Sequence, residues 1–324
     1  MKGGAAVATH AGAEAVAREV LAAGGSAVEA AITAFFVAAG DSPSTLFAPL
    51  TIAHSSGGAG VTFFDGRARQ PGKSVDRPLR WERDKAPAVV RAAAPGSVAA
   101  LTALAAMESV SLSALVDAGV SAAKAAGANE RAKLIARIGK ATTLALGERW
   151  VVDALREAAP PIEGALLGPD DLVDIVPMVA RGRVTGELGR YVAVAPWLDG
   201  AELPLSSALR LCILAADARG SLITILSEPP PGTLPMLAGE VGLPLLADPP
   251  RKGHTRTKPG TPLSCPAPVV GILEGETVVA LLATTAVRVD EGLAKSWPDL
   301  KPAAGSEAFT VGRPVGGVPY ARRK

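Results

Sequence analysis

The chain has 324 residues, of which 48% are hydrophobic and 4% aromatic, and its formal net charge is +2. A chain of this length and apolar content can bury a substantial core and needs no disulfide staples to fold. The few aromatic residues argue against a stacking platform for single-stranded nucleic acid, and the balanced charge implies no polyanionic partner.

Two consecutive helices are predicted near the start of the chain. The apolar residues of segment 11–23 fall at helical spacing, and the glycine pair at 24–25 favours a helix end. Ser26, with Glu29 three residues later, forms a capping-box pattern that begins the second helix. Segment 50–64 is then predicted to form a strand, a glycine-containing turn and a second strand.

The middle of the chain is predicted to be almost wholly helical. Segment 95–157 is rich in alanine and keeps its leucine and isoleucine residues at helical spacing. The proline pair at 160–161 ends this region. Segment 168–172, GPDDL, favours a short helix with acidic residues in its first turn.

The C-terminal part changes to strands. Apolar runs predict strands at 191–195, 211–216, 221–226, 268–273 and 277–282. Short turns at 217–220 and 274–276 join two pairs of them into hairpins. The proline- and glycine-rich segment 229–268 is interpreted as an ordered loop. Because these strands are apolar on both faces, we expect an α+β fold whose antiparallel sheets lie between helical layers.

No pattern of metal ligands or of membrane insertion is present. Cys212 and Cys265 lack metal-ligand or disulfide spacing, and the three histidines are scattered. No run reaches the roughly eighteen apolar residues of a membrane span, and the N-terminus lacks a signal-peptide core. The basic runs 251–258 and 321–324 are expected to be solvated. We therefore predict a soluble cytoplasmic protein with no metal, cofactor, nucleic acid or membrane partner.

The order of several motifs resembles the gamma-glutamyltransferase (gamma-glutamyl transpeptidase) family. LAAGGSAVEAA at 21–31 is similar to that family's "LxxGGNAVDAA", and DGRARQP at 65–71 to its "DxRExxP". APGSVAAL at 94–101 resembles "xPGxVAGL". LGPDDL at 167–172, with RVTG and GRYV after it, resembles the stretch before the family's self-cleavage site. PGTPLSCPAP at 259–268 resembles "GKRPLSSMxPT".

The resemblance implies the fold of an N-terminal nucleophile hydrolase, a four-layer α-β-β-α sandwich. It spans nearly the whole chain, so residues 1–324 are predicted to form one domain. Residues 1–200 would correspond to the large-subunit part of the family and residues 201–324 to its small-subunit part. Family members cleave themselves before a threonine, whose hydroxyl then attacks a γ-glutamyl amide.

The resemblance implies that the family's nucleophile is replaced in this chain. Its "TTHxSVVDxxGNAVSLT" strand pair aligns with DARGSLIT at 217–224. Counting back from Asp217 places Arg210 at the threonine position and Cys212 at the histidine position. An arginine has no nucleophilic hydroxyl and stays protonated. We therefore predict that the chain does not cleave itself.

Other site positions are partly retained. Arg67 coincides with the arginine that binds the substrate carboxylate in the family, although Ala68 replaces its glutamate neighbour. Ser264 matches the first of the family's serine pair. Ala283–Ala286 replaces the "GSPGG" oxyanion-hole segment, and in place of "LNNxMDDF" only Asp248 remains acidic.

Two hypotheses about function remain open. In the first, the protein is a catalytically inactive, uncleaved relative with a binding or regulatory role. In the second, Ser206, Ser207 or Cys212 serves as a displaced nucleophile of an amide hydrolase or transferase. The sequence leaves three kinds of partner open: a small amino-acid or γ-glutamyl-like ligand, a partner protein, or a second copy of the chain.

Overall fold

Two six-stranded antiparallel sheets pack against each other through a shared apolar core. In the computed structural model, Phe63 and Leu214 of one sheet meet Leu281 and Phe309 of the other. The structure describes residues 3–58, 60–82, 85–187, 190–197, 211–227, 230–263, 269–284, 308–313 and 318–323.

In sheet 1, the predicted hairpin of segment 211–226 lies beside the predicted strand pair of segment 50–64. In spatial order it consists of β1 (Ala5–Ala8), β7 (Leu211–Ala216), β8 (Leu222–Ser227), β2 (Leu50–Ser55), β3 (Thr62–Gly66) and β4 (Met178–Arg181). Every residue of β2, β7 and β8 is buried. This confirms the prediction that both faces of the sheet are covered.

Sheet 2 is built from the remaining C-terminal strands. In spatial order it consists of β14 (Tyr320–Arg323), β13 (Ala308–Gly312), β12 (Thr277–Thr284), β11 (Val269–Glu274), β6 (Arg190–Val194) and β5 (Arg183–Glu187). Its second face is also buried, with Val270, Ile272 and Leu282 in one cluster. The α+β class and the antiparallel sheets are thereby confirmed.

The helices lie on the outer face of sheet 1. They are α1 (Ala11–Ala22), α2 (Ala27–Asp41), α3 (Ser97–Met107), α4 (Leu112–Leu115), α5 (Asp117–Ala125), α6 (Asn129–Ala141), α7 (Arg149–Ala158) and α8 (Pro169–Val173). Short 3-10 turns at 88–91, 142–147 and 161–163 connect them. Their apolar faces share the largest core cluster with Ile52, Ile213 and Ile225 of sheet 1.

The predicted capping box at the start of α2 is present, and Asp217 adds a long-range hydrogen bond to the same helix end. Ser26 and Glu29 form the capping box of α2. One carboxylate oxygen of Asp217 accepts a hydrogen bond from the N–H of Ala27 at 3.1 Å. The other oxygen accepts bonds from the N–H groups of Arg219 and Ser221. The β7–β8 turn is therefore fixed to the start of α2.

Helices α2 and α5 approach so closely that two glycines face each other. A Cβ atom on Gly119 would lie 2.4 Å from the carbonyl oxygen of Phe36. A Cβ atom on Gly40 would lie 2.4 Å from the carbonyl oxygen of Gly119. Real side chains do not fit at such distances, so the backbone contact requires glycine at both positions.

The structure corrects two predictions about the C-terminal part. Segment 229–268 contains a hairpin, β9 (Thr233–Met236) and β10 (Val241–Pro244), because its alternating apolar residues reach the helix-side core. The basic end of the chain forms strand β14 at the edge of sheet 2 and is not a tail, although Arg322 and Arg323 are exposed, as expected of solvated charges. Strand β14 pairs with β13 along four residues, and the guanidinium of Arg323 lies 5.3 Å from the centre of the Phe309 ring.

The longest of the described helices, α2, has 15 residues. None of them is long and apolar enough to cross a membrane alone. Helix α3 together with residues 112–125 reaches that length and composition, but the two parts are bent by 112°.

Candidate functional site

Two of the predicted site residues, Arg67 and Cys212, lie toward the end of sheet 1 where β7 begins. Leu211, the first residue of β7, pairs with Ser227, which pairs in turn with Leu50. Leu50 pairs with Gly66, the last residue of β3. Strands in a sheet lie about 4.8 Å apart, so the start of β7 and the end of β3 are separated by roughly 14 Å. We call this edge the β7-start end.

A buried carboxylate between two arginines occupies the β7-start end. Asp65 is fully buried and accepts hydrogen bonds from Arg67 Nε and Nη2, both at 2.9 Å. Arg69 Nη2 lies 3.0 Å from Asp65 Oδ2. Burial by itself would raise the pKa of Asp65, but the hydrogen bonds and charges of the two arginines outweigh it and lower that pKa. The carboxylate is therefore held ionised.

Arg67 is fixed on its other side by an aromatic ring. Its guanidinium carbon lies 5.6 Å from the centre of the Trp197 ring, which packs edge-on against Phe63. The Arg67 side chain is 14% exposed. Nε and Nη2 of the Arg67 guanidinium donate to Asp65, and Nη1 donates to no other described residue. The arginine thus retains donors for one further acceptor.

The chain segments that the resemblance assigns to substrate binding meet beside Arg67. The N–H of Leu263 donates to the carbonyl of Ala68 at 2.9 Å, which brings the chain just before Ser264 next to Arg67. The side-chain amide of Gln70 exchanges two 2.9 Å hydrogen bonds with the backbone of Asp248. Backbone pairing and the side-chain amide of Gln70 assemble this region, and neither leaves a strong signal in the sequence.

A cavity of about 380 Å³ lies next to the buried carboxylate. Its wall includes Arg69, Lys73 and Asp174 among the charged residues, and Val176 and Pro262 among the apolar ones. A space of this volume accommodates a small molecule. With charges of both signs at its wall, it suits a zwitterionic ligand.

Of the three candidate nucleophiles, only Cys212 is among the residues that the structure describes. Cys212 is fully buried, and its side chain belongs to the core between the sheets. Its backbone N–H donates to Thr9 Oγ1 at 3.0 Å. Arg210, Ser206, Ser207 and Ser264 lie outside the described residues.

The segment that replaces the oxyanion hole begins within sheet 2. Ala283 is buried in the core between the sheets and pairs with Val269 and Phe309. Residues 285 and 286 lie outside the described residues. Ala283 therefore contributes packing, with its backbone engaged in the strand ladder.

The sequence analysis gave no role to Asp65 or Trp197, which determine the environment of Arg67. A carboxylate two residues before an arginine, at the end of a strand, was the available signal for Asp65. Trp197 offered no comparable signal, because its contact with Arg67 bridges 130 positions of the chain.

Comparisons with solved structures identify the fold. A cephalosporin acylase from Bacillus halodurans superposes with a TM-score of 0.67 at 11% identity, covering 100% of this chain and 96% of that one. A gamma-glutamyltranspeptidase from Pseudomonas nitroreducens, complexed with L-DON, superposes with a TM-score of 0.51 at 20% identity, covering 61% of this chain and 72% of that one. No protein-family model and no curated protein matches the sequence. The predicted N-terminal nucleophile hydrolase fold is confirmed.

Proposed function

We propose that this protein, which has the N-terminal nucleophile hydrolase fold, is uncleaved and catalytically inactive at the β7-start end and binds a small amino-acid-like ligand there. The observation that carries the proposal is the residue directly before β7. Strand β7 begins at Leu211, and the residue preceding it is Arg210. Self-cleavage and acyl transfer at that position both need a hydroxyl or thiol, which arginine lacks.

The net charge of the cluster around Asp65 supports the binding of a ligand carboxylate without a catalytic step. Two guanidinium groups and one carboxylate leave a net charge of +1 in a largely buried cluster. One further carboxylate would balance this charge, and the remaining donors of Arg67 can receive it. Arg69 of the same cluster lines the neighbouring cavity together with Asp174, whose carboxylate offers a place for a ligand ammonium.

The alternative function, an amide hydrolase or transferase with a displaced nucleophile, has less support. A thiolate at Cys212 would have to form in the apolar core between the sheets, where burial disfavours charge. The two serines of this hypothesis lie outside the described residues, so only chemical tests separate the two functions.

The first test concerns self-cleavage. Purified protein incubated for days should give one species at its full-length mass of 32.7 kDa in intact mass spectrometry. Arg210→Ala, which also lacks a hydroxyl, should likewise give a single uncleaved species at its own full-length mass. Two fragments that break between residues 205 and 212 would contradict the proposal and favour a displaced nucleophile.

The second test concerns the ligand. L-glutamate should bind in isothermal titration calorimetry, and Arg67→Ala should weaken that binding at least tenfold, because hydrogen bonds to charged groups contribute about 1.5–3 kcal/mol. Arg149→Ala is the matched control, since that side chain is 96% exposed and lies on α7. Neither variant nor the parent protein should release product from a γ-glutamyl anilide above background. Turnover that Arg67→Ala abolishes would establish the alternative function.

A further inference from the structure

A serine, a histidine and a glutamate come together at the opposite end of sheet 1. His54 Nε2 lies 3.1 Å from Ser221 Oγ, and His54 Nδ1 lies 3.6 Å from Glu108 Oε1. The three residues come from the end of β2, from the turn that leads into β8, and from the end of α3. The sequence separates them so widely that no motif connects them.

The surroundings of His54 favour the neutral ring with a defined tautomer. The histidine is only 2% exposed, and this burial lowers its pKa, although the charges of Glu108 and Asp217 act in the opposite direction. A carboxylate next to Nδ1 favours a proton on that nitrogen. Nε2 is then left as an acceptor for the hydroxyl proton of Ser221.

Ser221 is held in place and is reachable from solvent. Its N–H donates to Asp217 Oδ1 at 3.0 Å, and Asp217 is fixed in turn to the start of α2. Ser221 is half-buried, whereas His54 behind it is enclosed. The serine is thus partly exposed while its candidate base is shielded from solvent, an arrangement that suits a nucleophile and its general base.

An exposed glycine loop lies beside the serine. A Cβ atom on Gly57 would come within 3.3 Å of the carbonyl oxygen of Gly220, so the two turns touch. The backbone N–H groups of Gly57 and Gly58 donate to no other residue in the part of the chain that the structure describes. Unpaired N–H groups next to a nucleophile are suitable donors for a developing oxyanion.

We propose that Ser221 is an activated nucleophile that accepts acyl groups from small esters, with His54 as its general base and Glu108 as a positioning residue. Ser221 Oγ forms a bond to the ester carbonyl carbon while its proton moves to His54 Nε2. The alkoxide then leaves with that proton. Water, deprotonated by His54, releases the acid and restores the serine.

This site is separate from the β7-start end. Strand β7 spans six residues between them, and at about 3.3 Å per residue this is roughly 20 Å. An inactive β7-start end and a reactive Ser221 are therefore compatible, and each can be tested without the other.

The experiment is covalent labelling of the full chain with a fluorophosphonate, followed by peptide mass spectrometry. We expect one label, on Ser221, and none in Ser221→Ala. His54→Gln should slow labelling at least 100-fold, in line with the contribution of a general base. Ser56→Ala is the matched control, because this neighbouring serine is exposed and bonds to no histidine.

Two further measurements keep the outcome clear if His54→Gln fails to fold. Glu108→Gln, at a side chain that is 29% exposed, should slow labelling about tenfold and leave the melting temperature nearly unchanged. Because burial lowers the pKa of His54, the labelling rate in the parent protein should fall only at a pH below the ordinary imidazole pKa of 6.5. No label on Ser221, or an equal rate in Glu108→Gln together with a pH-independent rate, would overturn the proposal.

Discussion

Asp65→Asn should lower the free energy of unfolding by about 3–5 kcal/mol, which is typical of removing one partner from a buried ion pair. Asp65 is fully buried, and the side chains of Arg67 and Arg69 are 14% and 8% exposed. Asparagine keeps the shape but removes the charge, so two guanidinium groups would face each other without a counterion. The loss follows from the uncompensated charges that remain.

Urea denaturation at several pH values measures this effect. The pKa of Asp65 is lowered in the folded state, so its stabilisation is present above its ordinary pKa of 3.8 and is lost as the pH falls through the folded value. The difference between parent and Asp65→Asn should therefore shrink below pH 4. Asp174→Asn, at a side chain that is 66% exposed and forms a 3.9 Å ion pair, should change stability by less than about 1 kcal/mol. Equal effects of the two substitutions would contradict the role given to Asp65.

Gly119→Val should destabilise the protein by about 3 kcal/mol, at the upper end of the usual cost of overpacking. A Cβ atom at this position meets the backbone of Phe36 on the neighbouring helix, which cannot move aside as the end of a side chain can. To accommodate valine, α2 and α5 would have to separate along their contact.

Thermal and urea unfolding of Gly119→Val should be compared with Gly12→Ala on α1. A Cβ atom on Gly12 would have only side-chain atoms of His10 and Val37 as neighbours, at 3.3 Å or more. Alanine also has the better helix propensity, so Gly12→Ala should be neutral or slightly stabilising. A Gly119→Val protein as stable as the parent would show that the helices adjust without cost.

The contacts that fix the surroundings of β7 do not depend on the residue that precedes this strand. Asp217 fixes the β7–β8 turn to α2, and Leu263 pairs with Ala68. These contacts require backbone groups and one carboxylate, so they persist whichever residue precedes β7. Binding at Arg67, as proposed here, would use the same frame without a nucleophile.

The sequence by itself determined the elements that depend on local patterns. Helical spacing and the Ser26–Glu29 capping box predicted α2, and apolar runs around short turns predicted the β7–β8 and β11–β12 hairpins. Local patterns missed the hairpin of β9 and β10, because prolines and glycines conceal its alternation of apolar residues. They also missed β14, whose arginines lie along aromatic rings of its own sheet.

Only the tertiary structure decided which side chains share a site. Asp65 and Arg67 are neighbours in sequence, but the contribution of Trp197 and the distances among His54, Glu108 and Ser221 depend on how distant strands pair. Local periodicity reports which face of an element is apolar, because the repeat of helix or strand sets that face. It carries no information on register between elements separated by a hundred residues or more, since register is fixed by packing and backbone hydrogen bonds that form only in the folded chain.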